Sequence, residues 1–96
     1  MKPSEQLERY RSDIRIVVET NRATNPRVFG SVSRGEDTDK SDLDTLIDPA
    51  EGATLFDLGA IQAELNELLG IKVDIHTPSS LPIKFRDIVI VQAMPM

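Results

Sequence analysis

Near the start of the chain, apolar residues recur at three- and four-residue steps: Leu7, Tyr10, Ile14 and Val17. That is a helical period, and Ser4 stands where a cap belongs, so a first helix is expected from Ser4 to about Glu19. Thr20-Asn21 and Asn25-Pro26 are breakers. Arg27 to Phe29 then reads as a strand, and a short helix is expected after Ser31, with Gly35 as its exit. Glu36 to Ser41 is a polar loop. Asp42 to Asp48 is a second strand, whose Leu43 and Ile47 face a core while the even-numbered positions face away from it. After a loop from Pro49 to Ala53, Thr54 and Asp57 form a capping box. The helix behind them presents Leu58, Ile61, Leu65 and Leu68 on one side, and Gly70 stops it. Gly59 inside this helix costs about 1 kcal/mol relative to alanine, so a close contact is expected there. Ile71 to His76 alternate as a third strand closed by Pro78, and Ser80-Leu81-Pro82 reads as another helix start. Ile88 to Val91 are β-branched and by propensity favour a strand. Tyr10 reads as core, and Met94-Pro95-Met96 as a fraying end.

So few and such short strands imply one small mixed sheet of about three strands with helices packed on one face, an α/β (α+β) fold. The other face would carry the aspartates. A single domain over residues 1–96 is expected.

The chemistry concentrates between Val28 and Asp44, which read V-F-G-S-V-S-R-G-E-D-T-D-K-S-D-L-D. Gly30-Ser31, opening a helix, would offer free backbone N–H groups and a hydroxyl to a phosphate. Asp42 and Asp44 alternate onto one face of a strand and can share metal ions. As an ordinary solvated pair they would repel each other for no gain, and aspartate is depleted in strands. A calcium loop through Asp37, Asp39, Ser41 and Asp48 is disfavoured, because Asp42 falls where glycine is required. Ser31 serves equally as a helix cap. Arg34, one turn on, can reach a phosphate or form a surface ion pair. Asp48 shares the parity of the other two aspartates but lies at the strand's end, where solvent is expected. His76, the only histidine, shares a face with Asp74 and reads as a strand-end residue.

Gly-Ser, about ten residues and Asp-x-Asp resemble the signature of nucleotidyltransferases related in fold to polymerase beta. G-S-V-S-R-G-E-D-T-D-K-S-D-L-D and the later V-D-I resemble more closely the minimal nucleotidyltransferases, single-domain antitoxins paired with HEPN toxins. The resemblance spans roughly Arg27 to Ile75. It implies that the last segment is a helix and that Asp74 is a third metal carboxylate beside Asp42 and Asp44. It implies two Mg²⁺ ions, ATP as substrate held by Gly30 and Ser31, with Arg34 as a candidate further contact, and transfer of AMP to a tyrosine of a partner HEPN ribonuclease. The partner would then form a hetero-oligomer with this chain. Thr45 departs from the pattern, which places an aliphatic residue there, so packing behind the aspartates is expected to be weaker. Two other activities fit parts of the pattern. One is a nucleotide-binding antitoxin that masks its toxin without turnover; the other is a small-molecule transferase, which would need a substrate domain from another subunit.

Composition narrows the classes. Ninety-six residues suffice for one modest core, burying something over ~60% of the surface exposed when unfolded. The net charge is −5, with Lys and Arg scattered and no basic patch, which argues against direct nucleic-acid binding. An acidic surface suits solubility first and a basic partner second. There is no cysteine, hence no disulfide or thiolate site. The polar start lacks a secretory signal, and no apolar run approaches the ~20 residues of a membrane span, so a cytoplasmic protein without membrane contact is expected.

Overall fold

The computed structural model describes residues Met1–Met96. Helix α1 spans Pro3–Thr20, strand β1 Ala23–Phe29, β2 Leu43–Pro49, α2 Leu55–Leu69, β3 Val73–His76, α3 Ile83–Gln92 and β4 Met94–Pro95; a 3-10 turn covers Pro78–Ser80. The sheet order is β3-β2-β1-β4. β2 and β3 run parallel, and β1 is antiparallel to both β2 and β4. This is the mixed α/β sheet that the patterning predicts, extended at one edge by a fourth, two-residue strand.

Helices α1 and α2 lie on one face. Val28, Leu43, Ile47 and Val73 of the sheet join Ile14 and Val18 of α1 and Ile61, Leu65 and Leu69 of α2 in one buried cluster. Thr45 shares the parity of Leu43 and Ile47 and is fully buried. Its hydroxyl has no hydrogen-bond partner. The departure noted in the sequence is therefore an orphaned hydroxyl in the core, which costs about 1–3 kcal/mol. Thr45→Val keeps the branching and removes the orphan, so chemical denaturation should show a gain of about 1 kcal/mol with an unchanged m-value.

Two expected starts differ in kind. The box at Thr54 forms as read: the Thr54 amide donates to Asp57 Oδ2 at 2.9 Å and the Asp57 amide to Thr54 Oγ1 at 3.4 Å. Ser4 does not cap α1. Pro3 takes the first helical position, where its missing N–H is no loss. The Ser4 amide instead donates to Asp37 Oδ2 at 2.9 Å. The cap comes from a loop 33 residues away, which no local pattern reveals.

Gly59 is exposed, and a Cβ built there meets nothing within 4 Å. The expected close contact is absent, and only the entropic cost of glycine in a helix remains. Gly59→Ala should stabilise the protein by about 1 kcal/mol, read as a rise in melting temperature.

β1 is longer than the sequence implied. Asn25-Pro26 does not break it, because the chain bulges there: the pairing register with β2 shifts between Thr24 and Arg27, and Asn25 adopts φ +53°. Asparagine tolerates the left-handed region, and a bulge tolerates proline's missing N–H. Pro26 then offers its carbonyl to the Met96 amide at 3.0 Å. The apolar tail is no fraying end. Met96 is buried in the core cluster, and Arg15 donates to its carbonyl.

The β-branched run after Pro82 is helical, as the resemblance implied and propensity did not. Thr77 and Ser80 cap each other across the preceding 3-10 turn. The Arg86 guanidinium holds the carbonyls of Ser79 and Leu81 at 3.1 and 3.0 Å. α3 nonetheless buries none of its residues, leaving Ile83, Phe85, Ile88 and Val91 exposed. Only α1 and α2 thus fulfil the expectation of helices packed on one face. No helix is long and apolar enough to cross a membrane.

Candidate active site

The sheet's other face is built by register. Phe29 pairs with Asp44, Asp44 with Asp74, and Leu46 with both Arg27 and His76. Side chains paired this way share a face. Asp44 and Asp74 therefore stand side by side at the N-terminal ends of two parallel strands, and the end of β1 delivers Gly30 to the same edge.

Asp42 lies one residue outside β2 rather than within it. Continuing the register upward from Leu43 and Val73 sets it opposite Lys72, whose Nζ is 3.6 Å from Asp42 Oδ2. The next neighbour down the face is His76, with Nε2 4.0 Å from Asp44 Oδ1. The His76 ring meets Phe29 edge-on, with centroids 5.3 Å apart. Asp48 is not simply solvated, because Arg27 and Asn25 donate to it at 2.6 and 3.0 Å.

The expected helix after Ser31 does not form. Gly30 and Gly35, both at positive φ, bracket a series of turns too short to nucleate one. Amides of Arg34, Gly35 and Glu36 fold back to carbonyls of Gly30, Val32 and Ser31. The amides of Ser31, Val32 and Ser33 are left without a partner in the chain. Backbone N–H groups without a partner are donors that an anion can take, so the phosphate role expected of a helix start does not require the helix. Arg34 takes the ion-pair alternative here, with Nε 3.1 Å from Glu36 Oε2.

Gly30 joins the two halves. At φ +73°, a Cβ on it would lie 2.6 Å from Asp44 Oδ2. Only glycine brings the turn this close to the carboxylate.

Burial pushes the Asp44 carboxyl above its ordinary range, and the charges of Asp74 and Asp42 push it further; His76 and Lys72 oppose them. Three carboxylates thus gather with their repulsion only partly relieved. No three acidic or imidazole groups already converge on a point as metal ligands. The donor set is nonetheless all oxygen and anionic, which suits a hard divalent cation, and the strain on Asp44 is of the sort such a charge removes. The calcium-loop alternative disperses: Asp37 holds Ser4, Asp39 lies 3.8 Å from the N-terminal amine, and Ser41 bonds the Thr38 amide.

Lys72 and Phe29 border this face without belonging to the Gly-Ser and Asp-x-Asp pattern. Parity with Asp74 was the available signal for Lys72, whereas Phe29 needed the antiparallel register with β2.

The fold and this edge together define a nucleotidyltransferase domain. The family model for the nucleotidyltransferase domain matches residues 14–96, and the chain belongs to that family. Among its relatives are two candidate protein adenylyltransferases of Methanocaldococcus jannaschii. MJ1217 is 38% identical over 78 residues, covering 81% of this chain and 80% of that one. MJ0435 is 37% identical over 67 residues, covering 70% and 72%. The protein adenylyltransferase MntA of Thermococcus cleftensis is 43% identical over 54 residues, 56% of this chain and 54% of that one. A solved structure described as a candidate minimal nucleotidyltransferase superposes with a TM-score of 0.87 at 38% identity, covering 97% of this chain and 95% of the other. A toxin–antitoxin structure with AMP-PNP shares the fold, with a TM-score of 0.70 at 18% identity over 97% of this chain and 71% of that one.

Proposed function

We propose that this chain is a magnesium-dependent protein adenylyltransferase of the antitoxin type. It moves AMP from ATP onto a hydroxyl, a tyrosine's, of a partner HEPN ribonuclease in the cytoplasm. The observation that carries this reading is the contact at Gly30: a turn with free amides lies against Asp44, so phosphate and metal chemistry meet at one point. The names of the relatives support protein as the acceptor, and the toxin–antitoxin neighbour supports a toxin as that protein.

In this mechanism the amides of Ser31 to Ser33 and the Ser31 hydroxyl grip the terminal phosphates, with Arg34 free to join them on leaving Glu36. Asp42, Asp44 and Asp74 would hold two Mg²⁺ ions, which supply charge neutralisation at the triphosphate and a lowered pKa for the attacking hydroxyl. Asp74, on the neighbouring strand, sets the side from which the acceptor approaches. The α-phosphorus is left open to in-line attack, in which the bond from the acceptor oxygen forms as the bond to the β-phosphate oxygen breaks and pyrophosphate leaves, still held by the turn. The chain's own contribution is positioning and charge complementarity.

A masking antitoxin without turnover is the second reading, favoured by the exposed apolar side chains of α3, which a protein partner would cover. One experiment separates them. ATP labelled at the α-phosphate, Mg²⁺ and the partner toxin are incubated with wild type and with Asp74→Asn, and both are expressed beside the toxin in cells. Label on the toxin with wild type only, and protection lost with the variant, is the expected result. Protection by Asp74→Asn without any label on the toxin would favour masking.

A further inference from the structure

We propose that Lys72 is a phosphate-binding residue of the nucleotide site, parked on Asp42 until the site fills. The inference rests on the proposed function and assigns to it a cation that the Gly-Ser and Asp-x-Asp signature does not contain.

Asp74 and His76 stand on the site face of β3 opposite Asp44 and Leu46. One residue before both strands begin, the same register sets Lys72 opposite Asp42, with the Leu43 amide donating to the Lys72 carbonyl at 2.9 Å. Lys72 is therefore the facing neighbour of Asp42 just ahead of the paired strands. The ion pair is long, at 3.6 Å, and the Lys72 side chain is 66% exposed. An exposed pair of that length adds little to stability, so a structural duty does not account for it. What the pair does is hold an exposed ammonium beside Asp42, at the edge of the carboxylate face. Its charge is one of the two that oppose the rise in the Asp44 carboxyl.

When Asp42 turns to a divalent cation, Lys72 loses its partner and meets a like charge. A triphosphate on the free amides of Ser31 to Ser33 would be the nearest new anion. The ammonium is compact, strongly hydrated and carried on a flexible stem, which suits a point contact to phosphate rather than a fixed bidentate one. Arg34, which must leave Glu36 to reach the same phosphates, stands on the turn and not on the carboxylate face. Lys72 is thus the cation already on the carboxylate face.

Titration calorimetry on Lys72→Met, Lys72→Arg and Asp42→Asn decides the matter, with MgATP as one ligand and Mn²⁺ alone as the other. Lys72→Met should bind MgATP about tenfold more weakly, a loss of about 1.4 kcal/mol, and Lys72→Arg should stay within about threefold of wild type. Mn²⁺ alone should bind Lys72→Met as tightly as wild type or more tightly, because its competitor for Asp42 is gone. Unchanged or tighter MgATP binding in Lys72→Met would overturn the inference and leave Lys72 as a counterion. In that event, loss of binding in Asp42→Asn would leave the reading of the site standing. Wild type that binds no MgATP would overturn that reading itself, and the role of Lys72 with it.

Discussion

Asp44→Asn will abolish nucleotidyl transfer and make the metal-free protein more stable at neutral pH. The two effects have one origin. Asp44 is raised above its ordinary range by burial and by the charges of Asp74 and Asp42. A carboxyl raised by folding contributes stability that is full below its unfolded pKa and is lost as pH rises through the folded one. At neutral pH the wild type has lost that contribution; asparagine, which never ionises, has not. The melting-temperature advantage of the variant should therefore be greatest near neutrality and vanish under acid, where Asp44 is protonated in both states. Activity should move the other way. Asp42→Asn and Asp44→Asn each remove a carboxylate proposed to hold Mg²⁺, so AMP transfer should fall by well over the ~10–100-fold typical of groups that only support a ligand. Near-normal turnover in either variant would refute the assignment.

Gly30→Ala should damage both the stability of the fold and the nucleotide site. It forces an L side chain into φ +73° and sets a methyl 2.6 Å from Asp44 Oδ2. Backbone strain of this sort costs about 1–3 kcal/mol, and the carboxylate must also swing aside. Denaturation should show the loss, and calorimetry should show MgATP affinity reduced by at least tenfold. The contrast with Gly59→Ala makes the point sharply: the same substitution is expected to stabilise α2, where the new methyl meets only solvent.

Legibility tracks how local the cause is. The capping box at Thr54, the αL stop at Gly70 and the core parity of Leu43 and Ile47 are short-range features, and each reads off the sequence. Gly30 and the aspartates were found as a spaced motif, but their contact depends on Phe29 pairing with Asp44 across an antiparallel ladder. Several of the failures involve distant partners. Asp37 supplanted Ser4 as the cap, Pro26 joined a bulged strand and its carbonyl meets Met96, and Lys72 became a site neighbour because the Leu43 amide of β2 donates to its carbonyl. α3 is a different case: its β-branched run obeyed the family resemblance over propensity, and burial cannot explain it, because α3 has none.

The hydrogen bond from Ser4 to Asp37 also ties the first turn of α1 to the loop that carries the chain from the Gly30 turn to Asp44. Burial alone would raise the Asp37 carboxyl, but the Ser4 amide and hydroxyl, its own backbone and the charge of Lys2 together hold it below its ordinary range. The tether is therefore complete above the normal carboxylate range and is released as pH falls through the depressed value. Protonation loosens both ends at once: the helix loses a cap and the loop loses its anchor. The Ser4 amide thus becomes a remote gauge of the loop, and its hydrogen exchange, corrected for the intrinsic rate, should quicken in acid in step with the amides of Thr38 to Ser41.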